Sequence, residues 1–289
     1  MKDYLVRGLV ESKNCRVFAC QTTHLLEIAR QKHQLWPTAS AALGRMMSAT
    51  LMMGAMNKNH EKMTITINGG GPIGTMIAST HSDGKIKAFV ANPQVHYTYN
   101  ETGKLAVGVA VGNEGTLQVI KDMGLKEPFV GTVPLQTGEI GEDFSYYFMV
   151  SEQIPSVVSV GVLVNDTNEI LSSGGFIIQL LPDATEEDIQ YIEEKMSHFP
   201  AVSSLIYDEH TPEDVLKMIF DDVEILESQD LSFECDCSRD KMKSALITVG
   251  KQEIEAMIQE DHGCEMKCQF CNEKYTFSEE ELTELLEHM

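Results

Sequence analysis

The sequence predicts an α+β protein: an N-terminal α+β domain with antiparallel sheets and a buried helix, then a helical linker and a small C-terminal cysteine domain. Three observations carry this. First, runs rich in β-branched residues are joined by short turns such as Asp83-Gly84 and Asn165-Asp166-Thr167-Asn168, which make antiparallel hairpins rather than βαβ crossovers. Second, the stretch Ala41 to Met56 is apolar on nearly every side, so its helix must be buried all round. Third, the texture changes after Pro182 to short acidic helices, followed by two close pairs of cysteines. Together these divide the 289 residues into a core domain (1–182), a linker (183–231) and a cysteine domain (232–289).

Taken in order, strands are expected at Tyr4–Val10 and around Arg16–Ala19, then a helix over Thr23–Lys32. Pro37 opens the apolar helix, with Thr38 or Ser40 as its cap. Arg45, Ser48 and Thr50 within that helix argue against a membrane span, and its methionines are read as core packing. Met63–Asn68 is a strand. The following Gly69-Gly70-Gly71-Pro72-Ile73-Gly74 matches a dinucleotide fingerprint in letters only: Thr75–Ser79 reads as strand where that motif needs a helix, so no nucleotide is expected. Further strands are expected at Lys85–Val90, Lys104–Val111, Thr116–Lys121 and Phe129–Leu135. Ile140, Phe144, Tyr147 and Phe148 mark an amphipathic helix, with Glu139, Glu142 and Asp143 as its solvated first turn. The hairpin Val157–Val164 and Ile170–Leu181 closes the core domain.

In the linker, Thr185 caps a helix with the stripe Ile189, Ile192, Met196 and Phe199. Thr211-Pro212 opens another, with Val215, Met218 and Ile219 inward. Neither is long enough to stand alone in water, so the segment is expected to lie as a cover over apolar surface. In the last domain, helices are expected over Arg239–Leu246 behind Ser238, over Gln252–Ile258, and after the capping box Ser278-Glu279-Glu280-Glu281, with Leu282, Leu285 and Leu286 inward.

Charge narrows the function. The formal net charge is -22, and residues 181–289 hold 29 acids against 8 bases. Such a surface repels phosphate backbones, so no nucleic acid partner is expected. The first residues, MKDYLVRGLVESKNC, carry no apolar run of signal-peptide length, and seven cysteines is an odd number. Reduced thiols in the cytoplasm, with no membrane attachment, are the expectation.

The candidate site is made of Cys235, Cys237, Cys268 and Cys271, arranged as CxC, thirty residues, then CxxC. Two close thiol pairs supply two edges of a tetrahedron, which suits one Zn²⁺ per chain. A domain of this size with so few large apolar groups would be marginal without metal. Cys264 and His262 lie nearby but outside the simpler four-thiol set, and Cys15 and Cys20 read as core thiols.

The chain resembles the thirty-three-kilodalton heat shock protein family of redox-regulated holdase chaperones. The residues that carry this are Pro37-Thr38 with Ala41-Ala42-Leu43-Gly44-Arg45, then Lys121-Asp122-Met123-Gly124 and Pro128-Phe129-Val130-Gly131. Gly138-Glu139-Ile140 through Asp143, Ser151 to Ser156, Gly174-Gly175-Phe176 with Gln179 and Leu181-Pro182, and the two cysteine pairs complete the set. The resemblance implies an ATP-independent chaperone, not an enzyme, that is inactive while reduced and zinc-bound. Under oxidation it implies disulfides Cys235–Cys237 and Cys268–Cys271, zinc release, unfolding of the C-terminal region, an active homodimer, and capture of unfolding client proteins. Two other classes are weighed: a thiol oxidoreductase using Cys268-Gln269-Phe270-Cys271, and a constitutive zinc-stapled interaction module.

Overall fold

The computed structural model describes residues 2–57 and 61–289, and the chain divides into two compact units, Met1–Glu234 and Cys235–Met289. In chain order the first unit contains β1 (Tyr4–Val10), β2 (Cys15–Gln21), α1 (Thr23–His33), α2 (Pro37–Gly54), β3 (Lys62–Asn68), β4 (Met76–His81), β5 (Lys85–Val90) and α3 (Val107–Val111). It continues with β6 (Thr116–Asp122), β7 (Phe129–Pro134), α4 (Gly141–Tyr147), β8 (Ser156–Val164), β9 (Ile170–Leu180), α5 (Glu186–Ser197), α6 (Val202–Tyr207), α7 (Pro212–Ile219), β10 (Glu224–Asp230) and β11 (Ser232–Phe233). The second unit holds α8 (Arg239–Val249), α9 (Lys251–Asp261), β12 (Gly263–Lys267), β13 (Lys274–Ser278) and α10 (Glu279–Glu287).

Two sheets build the first unit. One runs in the order β10-β1-β2-β9-β8, the other β11-β5-β4-β3-β6-β7. Pairing is antiparallel except where the two-residue β11 joins β5. Helix α2 packs on β8 and β9 of the first sheet and on β4 and β5 of the second. That double contact is why it is apolar on all sides: nearly every residue from Thr38 to Gly54 is buried. Neither Thr38 nor Ser40 caps it. Pro37 already supplies the fixed φ of a first helical residue, and Thr38 Oγ1 is committed to the Tyr97 backbone, donating to its oxygen at 2.8 Å and accepting from its nitrogen at 2.9 Å.

The period-two pattern of the first sheet splits its side chains between two cores. Leu5, Phe18, Cys20 and Ile177 face the cluster around α1 and α2. Val6, Val17, Ala19, Phe176 and Ile178 face the other way, where Ile192 of α5, Val202, Leu205 and Ile206 of α6, and Val215, Leu216 and Ile219 of α7 cover them. The acidic helices of 183–231 therefore have a built apolar surface to bury against. Thr185 and Thr211 cap α5 and α7, each with a reciprocal carboxylate three residues on. Met218, expected inward, is 42% exposed; Leu216 takes its place on the buried face. The strands β10 and β11, and helix α6, carry no period-two or long helical signal and were not expected from sequence.

Two further expectations fail for stated reasons. Lys104–Val111 is not a strand; only Thr98 and Leu105 form an isolated bridge, and Val107–Val111 closes a helical turn. The glycines explain it: Gly69 and Gly71 lie so close to the Val111 and Gly112 backbone that a Cβ would clash, which needs a compact turn there and not an extended ladder. The glycine run itself forms the turn that leads into β4. The acidic turn before α4 is not solvated. Asp143 is fully buried, and Glu139 accepts from Arg45 at 2.6 Å, Tyr99 Oη at 2.8 Å and the Gly108 nitrogen at 3.0 Å. Of the three acids only Glu142 is exposed. Among the described residues no helix is long and apolar enough to cross a membrane.

Candidate metal centre

Cys268 and Cys271 sit in the turn between β12 and β13. The Cys268 nitrogen donates to the Glu273 oxygen at 2.9 Å and the Asn272 nitrogen to the Cys268 oxygen at 2.8 Å. Asn272 takes a left-handed conformation, φ 61°, which curls the turn so that both thiols point to one side. Cys235 and Cys237 lie in the irregular stretch before α8, whose first turn Ser238 caps by accepting from the Lys241 nitrogen.

Arg239, directly after the cap, pins this stretch to the hairpin. Its guanidinium donates to the Thr276 oxygen at 2.7 Å and to both oxygens of Glu281 at 2.6 and 2.8 Å, and it lies 4.5 Å from the centre of the Phe277 ring. Tyr275 of β13 adds a contact of 3.1 Å between its hydroxyl and Cys237 Sγ. Neither Arg239 nor Tyr275 was singled out from sequence; no spacing rule marks them.

All four sulfurs lie within 4.8 Å of one another. Cys235 to Cys268 is 3.7 Å and Cys237 to Cys271 is 3.4 Å. A tetrahedron with Zn–S bonds of about 2.3 Å has edges of about 3.8 Å, so the cluster matches the ligand spacing of a structural Zn²⁺ site. The electrostatics point the same way. Burial pushes the Cys235 thiol up, and pushes Cys271 up to about 11. Burial also opposes ionisation of Cys237, but hydrogen bonds from Tyr275 and the neighbouring thiols outweigh it and lower that one group. Further ionisation places like charges within 4.8 Å of each other, which a divalent cation would neutralise.

The other candidates lie elsewhere. Cys264 is on β12, partly buried in the apolar cluster of the second unit, and outside the four-thiol group. His262 is exposed and pairs with Glu279 at 3.0 Å. Cys15 and Cys20 are buried on opposite faces of β2. The second unit has few other means of support: its fully buried apolar side chains, the cysteines aside, are Leu246, Ile254, Phe277, Leu282 and Leu285. Such a core sits below what usually stabilises a module of this length alone.

Comparison with known proteins agrees with this organisation. A family model described as "Hsp33 protein" matches residues 3–278. The 33 kDa chaperonin of Bacillus velezensis is 48% identical, with 98% of each chain covered, and that of Bacillus cereus (strain AH187) is 47% identical over the full length of both. Among solved structures, the crystal structure of the 33 kDa chaperonin (heat shock protein 33 homolog) of Thermotoga maritima superposes with a TM-score of 0.92 at 38% identity, covering 100% of this chain and 99% of that one. Matched end to end in sequence and in fold, and carrying a four-cysteine cluster able to hold a metal, the chain belongs to the Hsp33 family of chaperones.

Proposed function

We propose that this protein is a cytoplasmic, ATP-independent holdase that binds and does not turn over its clients, and whose client binding is switched on by oxidation of Cys235, Cys237, Cys268 and Cys271. The observation that carries this is the four-thiol cluster in a unit with only five other fully buried apolar side chains. A Zn²⁺ bound by the four thiolates would neutralise their charge and tie the CxC stretch to the hairpin turn, adding folding free energy on the order of 10 kcal/mol.

Thiolates are the oxidisable form of cysteine. Each thiolate pair gives two electrons to hydrogen peroxide, whose O–O bond breaks to leave two hydroxide ions, and the sulfurs join as a disulfide. The pairing we propose is Cys235–Cys237 and Cys268–Cys271, the two nearest in sequence; every sulfur already lies within 4.8 Å of the others. Paired sulfurs no longer offer four anionic donors, so the second unit loses its staple and unfolds. The acidic segment 183–231 loosens with it, and apolar faces of the first unit such as Val6, Val17, Phe176 and Ile178 become available to unfolding proteins. The active form is a homodimer.

The thioredoxin-type alternative lacks its activating geometry. Cys271 leads into strand β13 and not into a helix, so the CxxC is not followed by the helix of a thioredoxin-type site. A constitutive interaction module predicts that stripping the metal abolishes binding, whereas here binding should appear.

The test is hydrogen peroxide titration at heat-shock temperature, following zinc release with a chelating dye and suppression of client aggregation by light scattering. One zinc per chain should leave as suppression rises. Cys235→Ser should hold metal weakly and lose redox control, and Cys20→Ser should change neither. Equal suppression by the reduced, zinc-loaded protein overturns the switch.

A further inference from the structure

We propose that Tyr275 is a positioning residue that restrains the oxidation of Cys237: its hydroxyl donates to Cys237 Sγ and so holds back the electron pair that an oxidant must take. That the four thiols form a redox switch rests on the reading above; the hydrogen bond does not.

Tyr275 Oη lies 3.1 Å from Cys237 Sγ. A thiolate, the form that holds a metal, has no proton to give, so the hydroxyl is the donor. Contacts that involve no cysteine bring the two together. Strand β13 pairs with β12 in the register that sets Tyr275 opposite Met266. Phe277, two residues on and on the same face, is buried in the apolar cluster and anchors the strand. Arg239 lies against the Phe277 ring and donates to the Thr276 oxygen, which draws Cys237, two residues before it, toward the hydroxyl.

The neighbouring sulfurs are served differently. Cys235 Sγ accepts from the Cys237 backbone nitrogen, and Cys271 Sγ from that of Glu273. Those donors belong to the turns that present the thiols. Cys237 instead takes a donor from a side chain, and that hydroxyl is the one part of Tyr275 that packing does not require: a phenylalanine ring would fill the same place opposite Met266. A donor outside the ligand set draws electron density from the sulfur it touches and so tunes how that sulfur reacts.

The step it restrains is the attack on peroxide. Cys237 Sγ gives an electron pair to one oxygen of hydrogen peroxide, an S–O bond forms, the O–O bond breaks, and hydroxide leaves a sulfenic acid behind. The Cys235 sulfur then attacks that sulfur, the S–O bond breaks, a second hydroxide departs, and the disulfide is closed. A sulfur lone pair already shared with a donated proton is a weaker nucleophile in the first of these steps.

The test uses the full-length reduced protein, loaded with Co²⁺ for absorption and with Zn²⁺ for kinetics. In Tyr275→Phe the sulfur-to-cobalt charge-transfer band should move to longer wavelength, because the sulfur pair is no longer held down in energy, while the ligand-field bands of a tetrahedral site stay in place. For the kinetics, samples taken after hydrogen peroxide addition are quenched in acid, denatured and alkylated, and mass spectrometry follows the remaining Cys237 thiol. Its loss should be at least about threefold faster in Tyr275→Phe than in wild type. Tyr207→Phe, which removes a hydroxyl from an exposed tyrosine of α6, should match wild type. A charge-transfer band that does not move, or a smaller rise in rate, overturns the proposal. So does a Tyr275→Phe protein that no longer binds metal, since the hydroxyl would then build the site and not restrain it. Absorption and thiol trapping involve no client protein, so light scattering can refute the holdase reading while these two uphold Tyr275, and the reverse.

Discussion

Replacing Asp143 by asparagine tests how the turn before α4 is held. In the protein, Oδ1 accepts from the backbone nitrogens of Gln136, Thr137 and Gly138 at 2.7, 3.1 and 3.4 Å, and Oδ2 accepts from that of Ile140 at 2.9 Å. The carboxylate is fully buried. It also holds Ile140 at φ 74°, ψ -57°, a γ-turn closed by the Gly141 nitrogen donating to the Glu139 oxygen at 3.0 Å. A β-branched residue resists that conformation, at a cost of about 1–3 kcal/mol that the surroundings must offset.

Asparagine keeps one oxygen for the three nitrogens but sets an NH₂ against the Ile140 N–H, and removes the charge that strengthens the remaining bonds. One buried N–H left without an acceptor costs about 1–3 kcal/mol, and the weakened bonds bring the total to about 3 kcal/mol. In a unit of this size that lowers the melting midpoint by roughly 6–12 °C. Fluorescence of Trp36, the chain's single tryptophan and part of the first unit, would follow the transition. Asp143→Ala, which orphans all four nitrogens, should cost more. A shift under about 1 °C for Asp143→Asn would refute the reasoning, since it would mean that the carboxylate is as replaceable as a solvated one.

Two further outcomes follow from titratable groups. Burial opposes the charge on Glu139, yet Arg45, the Gly108 N–H and the Tyr99 hydroxyl outweigh it and hold its carboxyl below the usual range. A depressed folded value stabilises above the unfolded one, near 4.3, and that contribution is lost as pH falls through the folded value; urea midpoints of Glu139→Gln should therefore fall less steeply than wild type below about pH 4.5, and parallel curves would contradict this. Burial pushes both Cys15 and Cys20 up to about 12, so iodoacetamide at pH 8 should leave them unmodified until the first unit unfolds, and mass spectrometry finding them alkylated as fast as free glutathione would show that they are not core thiols.

Much of the fold was legible because its signals are local. Period two marked β1, β3 and the β8–β9 hairpin, and capping residues marked α5, α7, α8 and α10. The segment Lys104–Val111 was misread because its valines fit a strand equally well, and what forbids one is the approach of Gly69 and Gly71, far away in sequence. The acids at 139 and 143 were misread because a carboxylate near a helix start looks the same on paper whether water or backbone N–H groups surround it.

By itself the sequence determined the cysteine set, the all-round apolar helix and the placing of nearly all the net negative charge in residues 181–289, since each follows from residue type and spacing along one chain. Only the tertiary structure decided that the four sulfurs fall within one ion's reach, that Arg239 and Tyr275 brace them, and that β10 lies along β1. It alone left the outer side of β7 without a paired strand among the described residues. Distances between residues thirty or two hundred positions apart depend on how whole elements pack, and no local rule of propensity or period contains that information.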